Sequence, residues 1–140
     1  MRVLVTGATG MLGRGVARAL ADRGDRVTVL QRHPAGLGLQ EALTDISDAD
    51  AVLGAIDGHE AVIHLAAKVN VVGPEAEYQR VNVQGTRAVV DACVTAGVRR
   101  LVHVSSPSVA HSGTSLIGRG ADPADPLAVR GPYARSKAAA

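Results

Sequence analysis

The segment Thr6-Gly-Ala-Thr-Gly-Met-Leu-Gly13 limits the possible folds of this chain more than any other, because of what lies on either side of it. Residues 2–6 (RVLVT) form a short apolar run of the kind found in buried strands, and a helix pattern follows the last glycine and runs to about Arg23. Gly24-Asp25 ends that helix, and residues 26–30 (RVTVL) form a second apolar run before the loop-like His33-Pro-Ala-Gly36. A strand, a crossing helix and a second strand pair most naturally in parallel.

The same alternation continues. Residues 37–43 read as a third, weaker strand. Ser47 or Asp48 can cap a helix through Ile56 that Gly58 stops. A fourth strand falls at 61–65 (AVIHL), a long helix at about 77–96 and a fifth strand at 100–104 (RLVHV). Residues 105–132 read as a long loop holding Pro107, Pro123, Pro126 and Pro132, and a last helix begins at Tyr133. Strands too apolar to be half-exposed, alternating with helices, predict an α/β fold: a doubly wound parallel sheet with helices on both faces. A length of 140 residues fits one domain with one core. Phe and Trp are absent and the aromatics are Tyr78 and Tyr133, so Val, Leu, Ile and Ala must fill that core.

Charge narrows the partners. The 15 basic and 13 acidic residues are spread along the chain, which argues against a nucleic-acid or membrane-surface partner. Cys93 is the single cysteine, read as a small core residue; it excludes an internal disulfide and suits a reducing cytoplasm. The N-terminal apolar run is too short for a signal peptide or membrane span, so no export is expected. His33, His59, His64, His103 and His111 lack metal-ligand spacing, and no metal site is expected.

Gly7, Gly10 and Gly13, with Thr9, Met11 and Leu12 between them, stand where a strand turns into a helix. Bare backbone there can approach a diphosphate, and the helix N-terminus favours its charge. The spacing G-x-x-G-x-x-G departs from the commoner G-x-G-x-x-G. A tight turn whose glycines only permit helix–strand packing is the competing reading, and the flanking elements favour the dinucleotide site.

At this point the chain resembles the extended short-chain dehydrogenase/reductase family, of the NAD-dependent epimerase/dehydratase type. The motifs are Thr6-Gly-Ala-Thr-Gly-Met-Leu-Gly13, His64-Leu-Ala-Ala67, Val81-Asn-Val-Gln-Gly-Thr86, Val104-Ser-Ser106 and Tyr133-Ala-Arg-Ser-Lys137, in family order. Ser105-Ser-Pro-Ser-Val-Ala-His-Ser-Gly113 is similar to the branch holding 3β-hydroxysteroid dehydrogenases and sterol-4-carboxylate 3-dehydrogenases. The resemblance implies a Rossmann-type fold and NAD(P)-dependent hydride transfer at a secondary alcohol or ketone, on a steroid-like or sugar-nucleotide substrate. A nucleotide-sugar epimerase or dehydratase would share the motifs. It also implies that Asp45 and Ile46 sit beside the adenine, that Leu65, Ala66 and Ala67 line the cofactor groove, and that Asn82 helps order its wall. His64 is read as structural. Where NAD-preferring members carry an acidic residue after the second strand, this chain has Gln31-Arg32, and Arg32 could fork onto a 2′-phosphate. The cofactor is therefore NADP or NAD, with NADP favoured.

Tyr133 and Lys137 are four residues apart, on one face of a helix. A free phenol has a pKa of about 10, so its use near neutral pH needs about 4 kcal/mol of help, which the ammonium and the oxidised nicotinamide could supply. Both residues are expected to touch the cofactor as well as the substrate. The resemblance implies that Ser106 holds the substrate oxygen, with Ser105 and Ser108 as alternatives. Extended family members are longer, so the substrate domain is expected to be absent from residues 1–140. The isolated chain is expected to bind nucleotide with little turnover, its short last helix holding the catalytic pair poorly. Assembly with another chain is a further possibility, and the exposed edge of the fifth strand would favour a homo-oligomer.

Overall fold

In the computed structural model, residues 1–69, 72–110 and 124–140 are described. Five strands form one sheet: β1 (Arg2–Thr6), β2 (Arg26–Gln31), β3 (Gln40–Leu43), β4 (Ala61–His64) and β5 (Arg100–His103). Every pairing is parallel and the spatial order is β3-β2-β1-β4-β5. The helices are α1 (Met11–Asp22), α2 (Ala49–Ile56), α3 (Glu75–Tyr78), α4 (Gly85–Thr95) and α5 (Pro132–Ala139). This is the Rossmann-type architecture expected.

The pleat explains why both faces need cover. Successive strand residues point to opposite sides. Leu4, Leu30 and Val62 accordingly meet Val52 and Ile56 of α2 and Val89, Ala92 and Cys93 of α4 on one face. Val3, Val5, Val27, Val29 and Ala61 meet Ala17 of α1 on the other. Aliphatic side chains fill both layers, and Cys93 is a buried free thiol in the first.

Three local expectations change, and the choice left open for the α2 cap is decided. β3 starts at Gln40 rather than residue 37, because Gly36 and Gly38 take positive φ and turn the chain just before it. β3 and β5 are the sheet edges and are not fully buried; Leu43 is 54% and Val102 52% exposed. The cap of α2 is Asp48, whose carboxylate accepts from the Ala51 amide, a bond worth about 1 kcal/mol. Ser47 is held instead by Asp45. The long helix expected at 77–96 is α3 and α4 joined by a π-helical turn, Gln79–Gln84, a widening found often near functional sites.

Between Ser105 and Pro132 the chain makes a short 3-10 turn, Pro107–Ala110, while residues 111–123, including His111, Gly113 and Pro123, lie outside the described residues. Among the described residues no helix is long and apolar enough to cross a membrane. No cluster of His, Cys, Asp or Glu among them could hold a metal ion.

Candidate functional site

Adjacent connections leave β1 and β4 toward opposite faces, so a crevice opens at the C-terminal ends of these two neighbouring strands. A cavity of about 700 Å³ occupies it. Its walls bring together Gly7, Thr9, Gly10, Met11, Leu12 and Gly13, then Arg32, Asp45 and Ile46, then Leu65, Ala66 and Ala67, and finally Ser105, Tyr133 and Lys137. Asn82, Ser106 and Ser108 are not in that wall.

The glycine loop is shaped by close backbone approach. Gly7 takes φ +79°, and a Cβ there would stand 2.8 Å from the Ala66 nitrogen. A Cβ on Gly13 would stand 2.7 Å from the Gly7 carbonyl carbon and closer still to its oxygen. The first bond of α1 runs from the Arg14 amide to the Gly10 carbonyl. The amides of Met11, Leu12 and Gly13 therefore have no backbone acceptor among the described residues, and Gly10 offers no side-chain cap. Three residues whose amides have no acceptor among the described residues thus stand at a helix N-terminus and line the cavity.

The opposite wall hangs from Thr6. Its hydroxyl accepts from the amides of Leu65 (3.1 Å) and Ala66 (3.0 Å), so its own proton goes to His64 Nδ1 at 2.7 Å. His64 must then carry its proton on Nε2, donated to the Thr86 hydroxyl at 3.0 Å. This chain of bonds ties β1, β4 and α4 together, so His64 is structural, as expected. Burial first, then the charges of His103 and Lys137, push its pKa down to about 3.

That shift has a consequence for stability. In the unfolded chain a histidine takes up its proton near pH 6.5, whereas folded His64 resists until about pH 3. The stability held above about pH 6.5 is therefore lost as pH falls through this window, by at most about 1.4 kcal/mol per pH unit for one proton. Urea unfolding at about pH 7 and about pH 5 checks it. Equal stability at both would mean that His64 charges inside the fold.

Farther along the cavity wall, Asp45 is held by the Ser47 amide and hydroxyl and by Arg80, which reaches it at 3.2 Å from the π-helical turn. Partial burial works against the carboxylate, yet these bonds hold its pKa below the usual range. Arg32 is exposed at the end of β2 and has no ion pair among the described residues. Beside it, both amide atoms of Gln31 are buried without a partner among those residues.

Tyr133 and Lys137 open onto the cavity from α5. The expectation that so short a helix would hold them poorly does not stand, because tertiary contacts anchor it. Ala134, Ser136 and Lys137 are buried. The Asn82 amide donates to Ser136 Oγ at 2.8 Å, and Ser136 donates to the Tyr133 carbonyl at 2.8 Å. Asn82 also accepts from the Lys68 amide at 2.7 Å and donates to the Lys68 carbonyl at 3.1 Å. It thus orders the wall from behind, 1% exposed. Lys137 Nζ donates to the Val104 carbonyl at 2.9 Å, and burial lowers its pKa. Ser106 Oγ lies 2.8 Å from Ser108 Oγ.

Sequence reasoning missed Lys68, Glu77 and Arg80 in the cavity wall. Lys68 pairs with Glu77 at 2.6 Å and lies over the Tyr78 ring, 5.2 Å from its centre. The available signal was position: Lys68 directly follows His64-Leu-Ala-Ala67, and Arg80 precedes Asn82 by two residues.

Known proteins are similar to this chain in sequence and in fold. Residues 3–140 match the NAD dependent epimerase/dehydratase family. The chain is 40% identical, over an alignment of 147 residues, to a 2-alkyl-3-oxoalkanoate reductase of Stenotrophomonas maltophilia, covering all of this chain and 44% of that one. It is 38% identical over 128 residues to a 3 beta-hydroxysteroid dehydrogenase/Delta 5→4-isomerase of Mycobacterium tuberculosis, covering 84% and 35%. A solved short-chain dehydrogenase/reductase superfamily protein of Agrobacterium tumefaciens with NAD bound superposes with a TM-score of 0.88 at 34% identity, covering 99% of this chain and 42% of that one. The chain thus spans less than half the length of these relatives. With the glycine loop at the crevice and a match over nearly its whole length, the chain belongs to the NAD-dependent epimerase/dehydratase family of extended short-chain dehydrogenases/reductases.

Proposed function

We propose that this chain binds a nicotinamide dinucleotide in the crevice and presents Tyr133 and Lys137 to a small-molecule substrate for oxidoreduction at a secondary alcohol or ketone. The observation that carries this reading is the row of free amides at Met11, Leu12 and Gly13, in one cavity with Tyr133 and Lys137. The residues fit the cofactor: a Cβ on Gly7 or Gly13 would collide with the backbone of Ala66 or Gly7 and break the tight loop that presents the amides, and the Gln31 carboxamide, at the ribose end, is buried without a partner among the described residues. Thr9, Gly10 and the free amides receive the diphosphate, Asp45 and Ile46 flank the adenine, and Leu65, Ala66 and Ala67 face the middle of the groove.

When bound, the nicotinamide supplies or accepts hydride. Tyr133 holds the proton exchanged with the substrate oxygen, and Lys137 favours its release by charge. Ser106 orients that oxygen, with Ser105 and Ser108 as alternatives; Ser105 is the one in the cavity wall. A steroid-like substrate is favoured by the similarity to the mycobacterial hydroxysteroid dehydrogenase. A nucleotide sugar is the second class, and a nucleotide-binding module without turnover is the second function. Association through the β5 edge, where Val102 is half-exposed, and a cytoplasmic setting complete the proposal.

Arg32 makes NADP the favoured cofactor. Calorimetry with NADP and NAD is expected to show tighter NADP binding, and Arg32→Ala to weaken NADP by roughly 10–100-fold while leaving NAD within about threefold. Tighter NAD binding by the unaltered chain overturns the preference; binding of neither overturns the function. Nicotinamide absorbance with a 3β-hydroxysteroid or a nucleotide sugar then decides the substrate, and binding without turnover of either supports the module.

A further inference from the structure

The reading above uses the side of Lys137 that faces the cavity. On its inner side stands His103 of β5, whose Nε2 lies 3.3 Å from Lys137 Nζ. An ammonium only donates, so Nε2 must be the bare ring nitrogen and Nδ1 must carry the proton. Nδ1 is buried and has no hydrogen-bond partner among the described residues. Leaving that donor unmatched carries a penalty that an apolar residue at this place would avoid. The histidine is therefore poorly explained as filler.

The surroundings keep the ring neutral. His64 of β4 lies with its ring centre 5.4 Å away, and its two nitrogens are engaged by Thr6 and Thr86. From α5 come Lys137 and, one turn earlier, Tyr133. Burial, and then the Lys137 charge, hold His103 below the usual histidine range.

We propose that His103 is a positioning residue for Lys137: its Nε2 and the Val104 carbonyl take two of the three ammonium N–H groups, leaving the third for the cavity beside Tyr133. This rests on the reading of Lys137 as the cation that serves Tyr133. Burial works against the ammonium, and the two inner acceptors offset it. The arrangement directs the charge as well as keeping it.

The test is nuclear magnetic resonance on the chain without cofactor or substrate, reading the His103 ring tautomer and the Lys137 side-chain titration. Around neutral pH, His103 is expected to be neutral with its proton on Nδ1. His103→Leu is expected to lower the Lys137 midpoint by about one to two units, and His103→Gln, which keeps an acceptor of similar reach, to bring it back to within roughly half a unit. A proton on Nε2, or an unmoved Lys137 midpoint in the leucine variant, overturns the proposal. Should that variant fail to fold, the tautomer in the unaltered chain decides alone. Since no dinucleotide is present, failed cofactor binding would sink the proposed function without touching this result, and the reverse also holds.

Discussion

Gly13→Val is expected to cost this chain both stability and its dinucleotide. A Cβ at this position would be 2.7 Å from the Gly7 carbonyl carbon, which is backbone and cannot rotate aside. Gly7 cannot retreat either: its amide bonds the Leu30 carbonyl at 3.1 Å, and Ala66 closes its other side. Helix α1 must lift from β1, so a loss of about 1–3 kcal/mol or more is expected in urea unfolding. The displaced amides are expected to weaken dinucleotide binding by more than about 100-fold, read by calorimetry. Gly10→Val separates the two effects. A Cβ at Gly10 is 3.4 Å from the Gly7 oxygen, an ordinary contact, and the residue is exposed with negative φ. Its stability should stay within about 1 kcal/mol of the unaltered chain while binding is lost, because the isopropyl group would cover the free amides. If both variants bind as the parent does, the diphosphate does not sit on this loop.

Tyr133→Phe is expected to lower the proposed oxidoreductase turnover by about 10²–10⁴-fold, the range lost when a positioned proton donor is removed. The phenyl ring keeps nearly the same volume in the half-buried place at the start of α5, so only the hydroxyl disappears. Dinucleotide affinity should change by less than about threefold. Steady-state nicotinamide absorbance alongside calorimetry checks the split. Turnover within a few-fold of the parent would remove Tyr133 from the chemistry while leaving the binding site in place.

Much of this architecture could be read before any coordinates. β1 spans the expected residues and α1 begins at Met11, inside the glycine segment and two residues before Gly13, because a glycine loop between an apolar run and a helix pattern is a local signal that marks the element more sharply than its first residue. The residues expected around the cofactor mostly meet in one cavity for the same reason: they sit at strand ends, and parallel strands bring those ends to one side. Boundaries left open or drawn too simply had local rivals. Ser47 and Asp48 are both good caps, and only the engagement of Ser47 by Asp45 left the role to Asp48. The break between α3 and α4 left no mark in composition, since Val81-Asn-Val-Gln suits either helix geometry.

The support beneath the site was not legible, because its partners lie far apart in the chain. His64 meets Thr6 across 58 residues, Arg80 meets Asp45 across 35, Asn82 meets Ser136 across 54 and Lys137 meets His103 across 34. Spacing reports which residues share a face within one helix or strand, and that was enough for the alternating elements, the glycine cradle and the Tyr133–Lys137 pair. Which polar groups face each other across elements depends on strand order and on how the helices settle on the sheet. The neutral state of His64, the anchoring of α5 and the contact behind Lys137 therefore emerged only once the strands were placed side by side.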